Sequence, residues 1–267
     1  GYKQGQGEDL SMMGMLYHDM GDYDQAEFFH RASLAVSREL GYLQGEVMDL
    51  SNLATVLRVK AELIEALDVQ NQALALIEPL GNFDLEWVVR SGRAAIYEVL
   101  GEPRQAMADY ETAIEKIETI RASLPEEIHR IGMMGSDQMY VYRRLVLLIH
   151  GHFRNPSKML TVVEHARARA LLDQLSVSDV SIANKVTPEI LQEEDQLLKS
   201  LRGIFSEQGQ VGLTIEERGQ LAEAARVLQS DLNKVLEQIE LEDPDYATLR
   251  RSRPVRLDEI RRILNLS

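Results

Sequence analysis

A spacing of 40 residues runs through the first half of the sequence and limits the folds open to the chain. The segment "GDYDQAEFFHRASLAVSRELG" begins at Gly21, "AELIEALDVQNQALALIEPLG" at Ala61 and "GEPRQAMADYETAIEKIE" at Gly101. Aligned at this spacing, columns of similar residues appear: Gly14, Ala54 and Ala94; Leu16, Val56 and Ile96; Tyr17, Leu57 and Tyr97; Ala26, Ala66 and Ala106. A repeat of this length is one supersecondary unit that cannot bury its apolar face alone, so copies stack and share a core.

Each repeat has the pattern of two amphipathic helices. In the second copy, apolar residues recur three and four positions apart on both sides of a break at Lys60–Ala61: Leu50, Leu53, Ala54 and Leu57, then Ala66, Val69, Ala73, Leu74 and Ile77. The small residues in the aligned columns mark where two helix axes approach closely. Gly41 and Gly81 follow Leu40 and Leu80, where a helix end favours a residue tolerant of positive φ. No strand-like alternation of useful length occurs, so the sequence predicts an all-α fold.

The segments "GDYDQA" and "GEPRQAMADYETA" resemble the second half of a tetratricopeptide (TPR) repeat. That family has a period of about 34 residues, and the longer period here implies longer helices. The resemblance implies an α-solenoid of helix pairs with a concave groove lined by the first helix of each pair. Grooves of this kind bind peptides or partner helices.

A fourth, longer helix pair is predicted after the three regular copies. Its first helix would be "SDQMYVYRRLVLLIHGH", after an N-cap at Ser136, and its second "PSKMLTVVEHARARALLDQL". Met159 and Ala166 keep the seven-residue spacing of Ala106 and Ala113. We therefore expect the repeat array to occupy residues 1–175, with a linker at 176–187.

Residues 188–267 read as a long antiparallel helical hairpin followed by short helices. Thr187 and Pro188 predict an N-cap and a first helical turn, and Thr214 with Glu217 forms a capping-box pattern. The apolar stripes are Leu191, Leu198, Leu201 and Phe205, then Leu221, Ala225, Leu228, Leu232, Leu236 and Ile239.

The segments "EHARARALLDQL" and "DPDYATLRRSRPVRLDEIRRIL" resemble the region that precedes the CHAT domain, a caspase-related module, in bacterial TPR proteins. The resemblance implies a regulatory arm whose catalytic module would begin close to Ser267. Because the chain opens without Met, we expect it to be part of a longer protein.

Composition narrows the classes of partner. The chain of 267 residues has a net charge of −14, which disfavours nucleic acid and anionic membranes as main partners. It has no cysteine, which excludes disulfides and a cysteine nucleophile within these residues and fits a cytoplasmic protein. No apolar run is long enough to span a bilayer. We expect a protein or peptide partner, or the parent's own C-terminal domain in cis, and no cofactor.

The predicted partner-binding residues are those placed by the TPR alignment on the groove face of the first helices: Ser11, Met15, Asp19, Asn52, Thr55, Arg58, Arg90, Arg93 and Arg144. Asn52 falls where TPR proteins that hold a C-terminal carboxylate place an Asn. The basic positions of that clamp read Ser11, Met15, Val88 and Gly92 here, so the resemblance to the clamp fails.

Arg90 and Arg93 fall in the columns of the apolar Leu50 and Leu53. Charged side chains in such positions are costly unless they are paired or open to a groove. Two interpretations follow: an anion-binding groove, or structural ion pairs with neighbours such as Asp49 or Glu86.

Catalytic alternatives are weaker. His150, His152 and His165 could be zinc ligands, but no further pattern completes a known spacing. The runs Glu193–Asp195 and Glu216–Glu217 lie early in helices, where the helix dipole favours acids. We expect no enzymatic activity in this chain; a metal-dependent hydrolase and a structural spacer or dimerisation element are the alternatives.

Methionines cluster near the N-terminus. Met12, Met13 and Met15 cannot all face inward on one helix, so we expect some of them to be exposed.

Overall fold

The computed structural model describes residues 2–78, 83–122, 136–176, 186–208 and 213–243, and within these ranges the regular structure is entirely helical. The ten α-helices are α1 (Tyr2–Asp19), α2 (Tyr23–Glu39), α3 (Leu43–Val59), α4 (Leu63–Ile77), α5 (Phe83–Leu100), α6 (Pro103–Ala122), α7 (Ser136–Leu148), α8 (Pro156–Ser176), α9 (Pro188–Gln208) and α10 (Ile215–Glu242). A π-helical turn, Ile149–Phe153, follows α7. The predicted all-α class is confirmed.

The chain divides into two compact units. Unit 1 comprises Gly1–Ala113 with Leu201–Val227, and unit 2 comprises Ile114–Ser200 with Leu228–Ser267. The helices α6, α9 and α10 are each shared between the units.

In unit 1, consecutive helices pack on one another from α1 through α5, and the first helices also contact directly, α1 with α3 and α3 with α5. The largest apolar cluster is centred on α3 and α4, where Leu50, Leu57, Ala73 and Ile77 are almost fully buried. These residues belong to the two stripes read from the sequence, so the predicted helix pair is observed with its expected buried faces.

The small-residue column marks a close helix approach, as predicted. A Cβ atom added at Gly14 on α1 would lie 2.6 Å from the imidazole ring of His30 on α2, which is too close for any side chain. Ala26, Ala66 and Ala106 each have 0% exposure. The spacing of the helices therefore depends on the absence of larger side chains at these positions.

The turns between helices share one left-handed residue. Gly21, Gly41 and Gly101 have φ of 79°, 60° and 76°, and Gly41 occupies the helix end expected for it. Ala61, in the turn between α3 and α4, has a φ of 64°. This left-handed conformation is unfavourable for a residue with a Cβ atom. Gly81, also predicted as a helix end, lies outside the described residues.

The capping box of α10 is confirmed. The Glu217 amide donates to the Thr214 hydroxyl over 3.2 Å, and the Thr214 amide donates to Oε2 of Glu217 over 2.7 Å. The hydrogen bonds that its carboxylate accepts from the amide and the hydroxyl of Thr214 lower the pKa of Glu217. Also in unit 1, Arg218 donates to the carbonyl of Gly41 over 2.6 Å, which fixes the start of α10 against the turn between α2 and α3.

In unit 2, α7 and α8 contact each other on either side of the π-helical turn. A small apolar cluster joins Val186 at the start of α9 to Val235 and Ile239 near the end of α10. Thr187 precedes α9 as predicted, but its hydroxyl donates to the Glu242 carboxylate over 3.1 Å. The expected N-cap hydroxyl is thus used to join the two helices of the hairpin.

None of the described helices is both long and apolar enough to cross a lipid bilayer.

Candidate functional site

The central part of the predicted groove lies on α3. Asn52, Thr55 and Arg58 are spaced by three residues and are half-buried, whereas Leu50 and Leu57 on the opposite face are fully buried. Because α3 contacts both α1 and α5, this half-buried face stands in the middle of a row of three first helices. We call Asn52, Thr55 and Arg58 the α3 face.

The polar groups of the α3 face differ in how they are engaged. The Thr55 hydroxyl donates to the Ser51 carbonyl over 3.0 Å, a bond within its own helix. In the part of the chain that the structure describes, the Asn52 amide and the Arg58 guanidinium have no hydrogen-bond or ion-pair partner. The α3 face therefore offers a cation and an amide that are free to bind.

The predicted residues on α1 have different surroundings. Met15 is 48% exposed, and Asp19 is exposed with one carboxylate oxygen 3.5 Å from Nδ1 of His18. Ser11 is half-buried, and its hydroxyl is near enough to Asp49 on α3 to lower the pKa of that carboxyl. Ser11 thus takes part in an internal contact, and Met15 and Asp19 are open to solvent.

Asp49 is a buried carboxylate held by hydroxyl groups. Ser37 donates to it over 2.8 Å, whereas the Ser33 hydroxyl donates to the Gly7 carbonyl over 2.9 Å. Burial raises the pKa of Asp49, against the opposing effect of the nearby hydroxyl groups of Ser37, Ser33 and Ser11. The carboxylate is satisfied within unit 1 and does not approach Arg90 or Arg93.

Arg90 and Arg93 converge on one buried carboxylate from α6. Arg93 donates to Asp109 from Nε over 2.7 Å and from Nη2 over 2.8 Å, and Arg90 Nη1 lies 3.4 Å from the same group. Arg90 also bonds Glu86 over 2.7 Å and Glu78 over 2.6 Å. Asp109 and Glu86 are only 4% and 3% exposed. We call these five residues the α5 ion cluster.

The cluster leaves no free donor group for a simple anion site. A sixth contact is to an amide, since Arg93 Nη1 donates to Oδ1 of Asn71 on α4 over 2.8 Å. The hydrogen bonds that Arg93 donates to Asp109 raise the pKa of Arg93, and burial opposes this effect without cancelling it. Of the two ion-pair partners predicted for the arginines, Glu86 is confirmed as a partner of Arg90. The prediction of Asp49 was wrong, because Asp49 pairs with neither arginine. A ligand anion would have to displace Asp109 or Glu86 to reach either guanidinium.

Asp109 was missed by the sequence analysis, although the alignment contained the signal. At the 40-residue spacing, Asp109 falls in the column of Phe29 and Val69, which is apolar in the other two copies. An acid in that column appears in the same copy that has arginines in the columns of Leu50 and Leu53. Opposite charges replacing apolar residues together in one repeat indicate a pair.

Arg144 lies in unit 2, on α7. Its side chain is half-buried and has an interaction partner. In sequence, Arg144 lies between Tyr142 and Leu145, which are both buried. The Tyr142 hydroxyl donates to Glu118 of the same unit. The structure places Arg144 in a different compact unit from the other predicted groove residues.

The candidates for catalysis do not assemble in the described residues. His150 and His152 are exposed on the π-helical turn, and His165 is half-buried on α8. Within the described ranges, no three side chains of His, Asp or Glu approach one another as a metal site requires.

Comparison of the sequence with models of known protein families gave no match, and no curated protein sequence matched it.

Proposed function

We propose that unit 1 is a TPR-type interaction module in which α1, α3 and α5 form the binding surface of a short α-solenoid. The 40-residue period and the direct contacts of α3 with both neighbouring first helices support this arrangement. In helical repeats, such a row of first helices forms an extended surface suited to a peptide or a partner helix. The parent protein's own C-terminal domain is one such partner; residues 244–267, which carry the resemblance to the CHAT lead-in, lie outside the described residues.

The observation that carries the proposal is the contrast between Arg58 and the other lysines and arginines of residues 2–78 and 83–100, which form α1 to α5. Lys3, Arg31, Arg38, Lys60, Arg90 and Arg93 each lie within ion-pair distance of a carboxylate. Arg58 is half-buried and has no such partner among the described residues. A guanidinium that is partly desolvated and unpaired is better satisfied by a ligand carboxylate than by bulk water.

Exposed apolar residues on the three first helices suggest the rest of the ligand. Val59 and Val99 occupy equivalent positions on α3 and α5 and are 39% and 55% exposed, and Met15 on α1 is 48% exposed. Asn52 adds an amide that can bond an extended peptide backbone. We propose a peptide with an acidic residue at Arg58 and apolar residues on either side of it.

A display library of short random peptides, selected on the immobilised chain, tests the proposal. We expect the selected peptides to share an acidic residue next to apolar ones. Arg58→Glu should weaken their binding by about 10- to 100-fold, because a charge-assisted hydrogen bond is lost and repulsion added. Isothermal titration with the selected peptide gives the affinity.

Arg104→Glu is the matched control. Arg104 is exposed on α6 and also has no ion-pair partner in the described residues, so its reversal makes the same change in net charge away from the α3 face. Equal loss of affinity in both variants would mean that only overall charge matters, and the α3 face would not be the site.

A further inference from the structure

One side of α1 is an apolar face without a neighbour in unit 1. It is formed by Gly5, Asp9, Met12, Leu16 and Met20, which recur at intervals of three and four residues and so lie on one side of the helix. Met12, Leu16 and Met20 are 60%, 54% and 70% exposed. We call these five residues the α1 end face.

The same positions are buried or half-buried in the other first helices. At the 40-residue spacing, Leu16 corresponds to Val56 on α3 and Ile96 on α5, and each of these is only 1% exposed. Asp9 is exposed, whereas Asp49 is 3% exposed. The α1 end face therefore has residue types that are buried between helices elsewhere in unit 1, but on α1 these residues are exposed to solvent.

The helix that covers the equivalent face of α3 is α2. Ser37 of α2 donates to Asp49, the counterpart of Asp9, over 2.8 Å. Glu27 of α2 pairs with Lys60, the counterpart of Met20, over 2.7 Å. On α5 the preceding helix plays the same part, since Gln70 of α4 donates to the Val89 carbonyl over 2.6 Å.

Gly5 gives independent evidence for close contact with another helix. Its counterpart Gly45 has a clear structural reason, because a Cβ atom there would lie 2.7 Å from Oγ of Ser37 on α2. A Cβ atom at Gly5 would have nothing within 4 Å beyond its own helix. Glycine within a helix costs about 1 kcal/mol relative to alanine. No contact in unit 1 offsets that cost at Gly5. A further helix would offset it if it packed on α1 in the way that α2 packs on α3.

We propose that the α1 end face is a docking site for an amphipathic helix that packs on α1 as α2 packs on α3. The partner helix has a hydroxyl-bearing residue over Gly5 that donates to Asp9, and an aliphatic stripe over Met12 and Leu16. Opposite Met20 it has an apolar residue, because Met20 replaces the lysine that pairs with Glu27 in the interface of α2 and α3. The site continues an interface that the array already forms, and it lies on α1, a different helix from the one that carries the α3 face.

The probe is a synthetic peptide of residues 21–41 with Glu27→Leu, added to the full chain. The readout is the rate at which dilute hydrogen peroxide oxidises each methionine, followed by mass spectrometry. We expect the peptide to slow oxidation of Met12 and Met20 severalfold. Met139, which is 38% exposed on α7, serves as the internal reference and should keep its rate.

Two variants and one control peptide make the test specific. Gly5→Leu places a side chain where the partner helix would pack, yet meets nothing in unit 1, so the chain should fold and lose protection by the peptide. Leu16→Glu should lose it as well. The unsubstituted peptide, with Glu27 opposite Met20, should protect less.

The proposal is overturned if the peptide leaves the oxidation of Met12 and Met20 unchanged, or if Gly5→Leu is protected as well as the original chain. Sedimentation of the chain alone gives the remaining outcome. A dimer whose Met12 and Met20 are already protected would make a second copy of the chain the occupant, and would replace the proposal.

Discussion

Arg93 and Asp109 form a two-point ion pair in which Nε donates to Oδ2 over 2.7 Å and Nη2 donates to Oδ1 over 2.8 Å. Only 5% of the Asp109 side chain and 20% of the Arg93 side chain remain exposed. Removing two charges from water costs several kcal/mol for each, and the mutual attraction repays this only when the geometry is good. The free energy of unfolding therefore depends on both partners of the pair being present.

Replacing Asp109 alone should be severely destabilising. Asp109→Val leaves Arg93 without its carboxylate and removes one partner of Arg90, so the free energy of unfolding should fall by about 3–5 kcal/mol. Urea denaturation followed by circular dichroism measures this value. A loss below about 1 kcal/mol would mean that water already solvates the arginines.

The double variant Arg93→Leu with Asp109→Val separates the pair from its surroundings. It restores the residue types of the second repeat, where Leu53 and Val69 are buried. Replacing a buried ion pair by apolar residues of similar size is often neutral or stabilising, so the double variant should recover most of the stability. If it is as unstable as Asp109→Val, the loss comes from packing and not from unpaired charge.

Ala61 offers a substitution that should stabilise the chain. Its φ of 64° places a Cβ atom in the left-handed region, at a cost of about 1 kcal/mol. Ala61→Gly should raise the free energy of unfolding by about 0.5–1 kcal/mol, since Ala61 is exposed and gives up little packing.

Gly101 provides the opposite change at an equivalent turn. With φ of 76° and nothing within 4 Å of an added Cβ atom, Gly101→Ala should be destabilising by a similar amount and for conformational reasons alone. Thermal unfolding of the two variants beside the original chain tests both signs. A lower melting temperature for Ala61→Gly would show that the turn does not carry this strain.

His30 should make unit 1 sensitive to acid. Burial, with a smaller effect of His18, lowers the pKa of His30 from 6.5 to about 4. The folded state therefore binds the proton less well than the unfolded state. The contribution of neutral His30 to the free energy of unfolding is therefore complete above pH 6.5 and is lost as the pH falls towards 4. The loss amounts to about 3 kcal/mol at most.

The variant His30→Gln isolates this group from the carboxylates that titrate in the same range. It should be less stable than the original chain at neutral pH, because its amide must pack against Gly14. The difference in unfolding free energy between the two proteins should shrink as the pH falls. A difference that does not change with pH would contradict the assignment to His30.

The helix pairs could be predicted from the sequence because their signal is periodic and local. Leu50 and Leu57 on α3, and Ala66 and Ile77 on α4, lie on the buried faces that their spacing indicates. The capping box at Thr214 is also a local pattern, and its partner Glu217 stands only three residues away.

What could not be predicted depends on residues distant in sequence. The Thr187 hydroxyl does not cap α9, because it donates instead to Glu242, which is 55 residues further along the chain. Arg93 reaches Asp109 on the next helix and Asn71 on the preceding one. At Ala61, tertiary packing imposes a backbone conformation that the residue type disfavours, because the turn length is set by the two helices it joins.

The α5 ion cluster has a further consequence for a chain built from similar parts. Apolar interfaces between repeats are interchangeable, since one aliphatic stripe fits another almost as well. A buried carboxylate is not: any arrangement that places α6 beside another first helix leaves Asp109 without its two guanidinium partners. The cluster thus fixes α6 on α5, the first helix of its own repeat, where the similarity of the apolar stripes alone would allow α6 to pack on another first helix.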